Sequence, residues 1–356
     1  MRLVVAAFFV VQLALALPNP VHAQQRQLKV LVLHDMEGLA GEDDWRLFSH
    51  AYPAFYVKGQ RMLVADVNAV IEGLIAAGAT TIDVTDGHGS GNIEPDIPLE
   101  LLNPKAHMVF KDKPFDPYVD LVEPKAYDAV ALVGMHAKPG SKGFVAHTST
   151  PLMVQIMNGQ SLSEPELIAY SWGRVDVPVI FVSGDDRLKE NLAGPMPWVE
   201  YVTTKRSTSA STVELFPVDS VHQAMTAAAK RALENLGKMK PLKIKTPVAA
   251  AMKALPPGSL EMLKGVPGIN YADSTVSFTA ADFKGAYDGI QALMQVAGTV
   301  GALAVLQDVL RNQPNALELQ VQFREGRINR WLDYESGRWK PTPAVPRVQR
   351  RYHGDN

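Results

Sequence analysis

Asp35 and Glu37 stand two residues apart, directly after the apolar run 28–33. Period-two alternation of an extended backbone aims both carboxylates to one side. Two carboxylates held together repel unless a cation or a proton stands between them. His88 closes Asp86-Gly87-His88 after the apolar run 81–85, and His136 closes Gly134-Met135-His136 after 130–133. Asp185 and Asp186 end a fourth run of the same kind, 177–182. An acid pair at one strand end is ordinary turn chemistry, and a lone histidine is usually structural. It is the repetition at equivalent positions that points to a site. Carboxylates and imidazoles without thiolates suit Zn²⁺, Mn²⁺ or Co²⁺, and the ligand types do not choose among these. Two ions sharing a carboxylate would use such a set well, and the chemistry they favour is hydrolysis.

The elements that must position these groups are legible in outline. Short apolar runs separated by helix-length segments read as strands of an α/β sheet, and in such sheets ligands bind at the carboxyl ends of the strands. Residues 59–77 form a helix with Met62, Leu63, Val67, Val70, Ile71 and Leu74 on one face, stopped by Gly78. The expected fold is α/β: a mainly parallel open sheet flanked by helices over 28–204, then a smaller α+β domain over 205–335. In that second part, helices are expected at 218–236, near 260 and at 281–296, with strands at 248–252 and 275–278. Residues 103–124, rich in proline, read as an excursion or lid, and the Ser/Thr run 203–212 as a loop. Residues 336–356, with proline and arginine but no apolar period, read as a disordered tail.

The chain has 356 residues, 47% hydrophobic, a net charge of −2 and no cysteine. That is enough for one large or two ordinary cores, gives no electrostatic case for nucleic acid, and excludes disulfides and thiolate zinc sites. Arg2, the apolar stretch 3–17, Pro18, Pro20 and Val21-His22-Ala23 form the pattern of a secretory signal cleaved near Ala23. The stretch is shorter than the roughly 20 residues of a bilayer span. The expectation is an exported protein, periplasmic or secreted, with no membrane association after cleavage and no later spanning segment.

His34-Asp35-Met36-Glu37-Gly38 resembles the D-M-E-G signature of the zinc D-aminopeptidases, the D-alanyl dipeptide aminopeptidase family of dipeptide-transport operons. Further likenesses follow in order: Gly59 with Asn68 nine residues on, Asp86-Gly87-His88, Gly134-Met135-His136-Ala137, His147, Asp176-Val177-Pro178-Val179 and Gly184-Asp185-Asp186. The set runs from 28 to about 297. The resemblance implies two Zn²⁺ ions bridged by Asp35, one held by Glu37 and His136 and the other by His88 and Glu164. His147 would be the catalytic residue. A metal-activated water is already a competent nucleophile, so a general base or proton shuttle is the better role for it. Glu164 here follows Ser163 rather than glycine, which leaves Glu166 as an alternative ligand, and Gln60 stands where the family often has arginine.

The resulting reading is an exported metallo-aminopeptidase acting on short peptides with a free N-terminus, D-alanyl peptides foremost. The resemblance further implies a ring-like homo-oligomer. Two alternatives remain: a solute-binding protein that holds peptide without turnover, and a metallohydrolase of another bond. Asp86, Asp185 and Asp186 are either groups that orient ligands or turn and capping residues.

Overall fold

A computed structural model describes residues 27–256, 258–340 and 351–354. The proposed signal segment lies outside the described residues. Among the described residues twelve strands occur in chain order: β1 (Lys29–His34), β2 (Thr81–Asp86), β3 (Ala106–Met108), β4 (Ala129–Met135), β5 (Met153–Met157), β6 (Gln160–Ser161), β7 (Val179–Asp185), β8 (Glu200–Ser209), β9 (Thr212–Leu215), β10 (Val248–Ala254), β11 (Asn270–Ala272) and β12 (Thr275–Ala280). The helices are α1 (Pro53–Ala76), α2 (Glu164–Gly173), α3 (Asp186–Leu192), α4 (Val218–Glu234), α5 (Phe283–Arg311) and α6 (Ala316–Glu335).

The larger sheet has the order β3-β2-β1-β4-β7-β8-β9, parallel throughout except for the antiparallel edge strand β9. In β1, Val30 and Val32 face the core beneath α1 and α4, while Leu31 and Leu33 face the core shared with α2 and α5. Both faces are covered, so the strand is a continuous apolar run rather than an alternating one. The strand order reverses at β1, whose neighbours are β2 on one side and β4 on the other. A crevice opens at such a switch point, beyond the carboxyl ends of the strands. Asp35 and Glu37 follow β1, His88 follows β2 and His136 follows β4.

The chain approaches itself closely at that point. Asp35 N–H donates to Val133 O and Gly38 N–H to Gly134 O, both at 2.8 Å. A Cβ on Gly38 would lie 1.9 Å from Met135 O, and one on Gly134, at φ +74°, would lie 2.4 Å from Asp35 O. The two glycines let the acid-bearing turn sit directly on the end of β4.

The smaller sheet is antiparallel, in the order β11-β12-β10-β5-β6. Its β5–β6 hairpin is inserted between β4 and β7 of the larger one, and β8, β9 and α4 belong with the larger sheet. A division at 204/205 therefore falls inside β8. The Ser/Thr run expected as a loop is the β8–β9 edge hairpin, where small polar side chains suit a half-exposed strand. Residues 103–124 are not a free lid: Phe115, Tyr118, Val119 and Leu121 are buried in the core. The expected helix near 260 is a single 3₁₀ turn, Glu261–Leu263.

The helix expected to end at 296 continues to Arg311, because Gly298 and Gly301 do not interrupt it and Pro314 comes only after it. By length and composition α5 could cross a membrane, contrary to the expectation that no later segment could. Its first half is committed to the protein core through Phe283, Ala286, Tyr287, Ile290, Met294 and Ala297. Of the expected tail, residues 351–354 lie against the body, where Tyr352 pairs with Lys111.

Candidate metal centre

Asp35, Glu37, His88, His136, His147 and Glu164 all line one cleft of about 430 Å³. Ligand atoms of Asp35, Glu37 and His88 lie within 4.8 Å of one another, as do those of Asp35, His136 and Glu164, and those of Glu37, His136 and His147. His88 Nε2 is 3.4 Å from Glu37 Oε1. His136 Nε2 is 3.4 Å from both Asp35 Oδ2 and Glu164 Oε1. The three groups overlap: Asp35, Glu37 and His136 each belong to two of them. Glu37 is grouped with His88 in one set and with His136, the partner the resemblance implies, in another, while Glu164 is grouped with His136 rather than with His88. β1 lies between β2 and β4, so its two acids reach the histidines that follow both neighbours.

The imidazoles are oriented by what their other nitrogens meet. His88 Nδ1 is 2.6 Å from Asp96 Oδ2. His136 Nδ1 is 3.1 Å from Ala137 O, and His147 Nδ1 is 2.8 Å from Val145 O. A carbonyl can only accept, so Nδ1 carries a proton in both and Nε2 is the nitrogen that faces the carboxylates. That is the arrangement of metal-ligating histidines. Glu164 is held by Tyr118, whose hydroxyl donates to Oε2 at 2.5 Å, and by Ser149 N–H on Oε1 at 2.7 Å. Asp35 Oδ2 is buried and has no hydrogen-bond partner among the described residues.

The electrostatics show what the donor set lacks. Burial raises Asp35 well above the usual carboxylate range, and Glu37 and Glu164 push it further. Burial alone would discharge both histidines. Against that, Glu37 and Asp96 hold His88 well above the ordinary histidine range, and Glu164 and Asp35 do the same for His136. Protons on these groups balance the carboxylates where a divalent cation would do so better. The orphaned oxygen, the Nε2 atoms facing inward and the cluster of buried acids fit a metal centre.

His147 differs from the rest. Its ring stacks on His136 with centroids 4.1 Å apart, and its Nε2 is 3.9 Å from Glu37 Oε1. Burial and the neighbouring His136 lower its pKa, so it stays neutral at pH 7. The loop that carries it is strained: Val145, a β-branched residue, has φ 42°, and Ser149 has φ 59°.

Glu166 is engaged elsewhere. It accepts from Ser163 N–H and Ser163 Oγ–H, each at 2.8 Å, and forms the capping box of α2. Glu164→Gln is therefore expected to weaken metal binding about 100-fold, whereas Glu166→Gln costs about 1 kcal/mol of stability and leaves the metal content intact. Elemental analysis and urea unfolding of the two variants check this.

Asp185 caps α3 by accepting from Leu188 N–H at 2.7 Å, and Asp186 accepts from Ser207 N–H at 2.8 Å, so neither orients a ligand. Asp86 organises the His88 loop by accepting from the N–H groups of His88 (3.0 Å) and Asp96 (2.9 Å).

Sequence reasoning missed Asp96, Tyr118 and Lys205. The Lys205 ammonium is fully buried, bonds Glu37 O at 2.8 Å and pairs with the fully buried Glu42 carboxylate. It thus fixes the backbone of a ligand from 168 residues away. Burial already pushes Glu42 up to about 8, and without Lys205 it would be left buried with no partner for its carboxyl. Lys205→Met is expected to cost about 3 kcal/mol of stability, measurable as a lower urea midpoint at unchanged slope.

The hollow between α5 and α6 is lined by residues such as Leu303, Phe323 and Trp331, with neither acid nor histidine among them.

Residues 28–292 match a family model described as D-aminopeptidase. The chain is similar to the D-aminopeptidase of Bacillus subtilis (strain 168), at 27% identity over 274 residues, covering 76% of this chain and 98% of the relative. Its fold is similar to that of the Zn-dependent D-aminopeptidase DppA from Bacillus subtilis, described as a self-compartmentalizing protease. The TM-score is 0.68 at 26% identity, over 76% of this chain and 98% of that one.

Proposed function

The chain belongs to the D-aminopeptidase family, and from that premise we propose that it is an exported, metal-dependent aminopeptidase of short D-alanyl peptides. The observation that carries the reading is the convergence of Asp35, Glu37, His88, His136, His147 and Glu164 into overlapping ligand groups in one cleft at the sheet's switch point. Two divalent ions, Zn²⁺ foremost, would be held by Asp35, Glu37 and His88 and by Asp35, His136 and Glu164. When bound, they supply polarisation of the scissile carbonyl and activation of water.

The protein's own residues do the rest. Asp96 and the Ala137 carbonyl fix the tautomers of His88 and His136. Tyr118 and Ser149 hold Glu164 in place. His147, neutral and with Nε2 open to the cleft, accepts the proton released when water attacks and returns it to the departing amine. A solute-binding protein would have no need of the convergent ligands. The relative described as self-compartmentalizing supports a ring-like homo-oligomer for this chain too. The signal-like N-terminus supports export, which predicts a mature chain beginning at Gln24 by mass spectrometry.

The reading is tested by assaying D-alanyl-D-alanine against L-alanyl-L-alanine with Zn²⁺-reconstituted protein. At least tenfold higher kcat/KM for the D,D-dipeptide is expected. No turnover of either dipeptide would remove the aminopeptidase reading, and equal turnover would remove the stereochemical part.

A further inference from the structure

The family match ends at residue 292, yet residues from far beyond it return to the metal cleft. Lys111 N–H donates to Tyr352 O at 2.8 Å, and Tyr352 N–H donates to Lys111 O at 2.7 Å. Phe115 N–H donates to Gly354 O at 3.0 Å. The Arg351 guanidinium stands over the Phe110 ring, 5.1 Å from its centroid. Between these anchors, His353 is only 3% exposed. Its Nε2 is 3.1 Å from Ile93 O, and its Nδ1 is 3.6 Å from Asp86 Oδ2. Ile93 and Asp86 both lie in the stretch that carries His88. His353 and Gly354 line the same cleft as Glu37, His88 and Glu164.

Ordering a chain end costs about 1–2 kcal/mol per residue, so a segment stays docked only when its bonds and burial repay that. Three backbone hydrogen bonds, a cation–π contact and a buried imidazole do so here. The cleft's volume is near the lower end of the range of roughly 300–1,000 Å³ usual for small-molecule sites. Resting on the peptidase reading of the cleft, we propose that Arg351–Gly354 form a fixed wall of it beside His88, and that His353 limits the length of peptide admitted. A chain extending past His88 on that side meets the imidazole and the paired backbone behind it.

The test uses two variants: the chain truncated after Lys340, and full-length His353→Gly. Amide hydrogen exchange at Lys111 and Phe115 reads docking, since both N–H groups are bonded to the segment. Calorimetry on chelator-treated protein reads selection, as the ratio of Kd for D-alanyl-D-alanine to Kd for a D-alanine hexapeptide. Truncation is expected to speed exchange at the two amides at least tenfold, and both variants are expected to raise the Kd ratio at least tenfold. Unchanged exchange on truncation would mean that the segment does not dock, and would overturn the proposal. Fast exchange with an unshifted ratio would mean that it docks without selecting, and would overturn it equally. Failure of the peptidase reading is separate: reconstituted full-length protein would not cleave the dipeptide, whereas the binding ratio would still shift.

Discussion

Asp35→Ala is expected to lower kcat/KM on the order of 10⁴-fold, with the loss almost wholly in kcat. Its carboxylate is shared by the two ligand groups, so its removal takes a ligand from each. Carbonyl polarisation is worth several kcal/mol, and each 1.36 kcal/mol is about a factor of ten. Folding failure would give the same kinetic result, but the electrostatics separate the two. Without metal, Asp35 sits among repelling Glu37 and Glu164, which with burial hold it well above the carboxylate range. Deleting it removes a buried carboxyl whose ionisation burial and those neighbours oppose. The metal-free variant is therefore expected to unfold at a urea concentration no lower than the metal-free parent does. A variant that loses activity and also unfolds earlier without metal would assign Asp35 a structural role instead.

His147→Ala is expected to lower kcat by roughly 10²–10⁴-fold while both ions remain bound. His147 belongs to neither Asp35-centred group, so its loss should spare metal content. Burial and His136 depress its pKa below the ordinary 6.5. A depressed base keeps its lone pair into mildly acidic solution. In the parent, the acid limb of kcat/KM should therefore fall below pH 6.5, and it should be missing in the variant. The stability effect has a definite sign too. The folded state binds this proton less tightly than the unfolded chain, so the contribution is present above pH 6.5 and is lost as pH falls through the depressed value. Loss of one ion from the variant would instead make His147 a ligand.

The strands carrying the ligands were legible because β1 and β4 are buried on both faces and so stand out as unbroken apolar runs. Gly38 and Gly134 were legible only as motif members; their close-approach role needs the backbone of two strands at once. The Ser163-x-x-Glu166 capping pattern is a local signal that separates Glu166 from Glu164. Asp96, Tyr118 and Lys205 gave no local signal. Asp96 reaches His88 across a loop whose course no periodicity encodes, and Tyr118 lies in a segment without period. Lys205 sits in β8, next to the edge strand, and pairs with Glu42, 163 residues away. His353 meets Ile93 across 260 residues, from a stretch whose composition resembles a free tail. Local pattern specifies elements; contacts of this span are decided by how the elements pack.

The central claim is that two Asp35-centred groups are metal sites, and metal content tests it most directly. Elemental analysis of full-length protein after Zn²⁺ reconstitution and dialysis is expected to give about two divalent ions per chain, as one site per ligand group requires. The His88→Ala, His136→Ala double variant, which removes one histidine from each group, is expected to retain neither. A parent without metal, or a double variant that keeps both ions, would contradict the account.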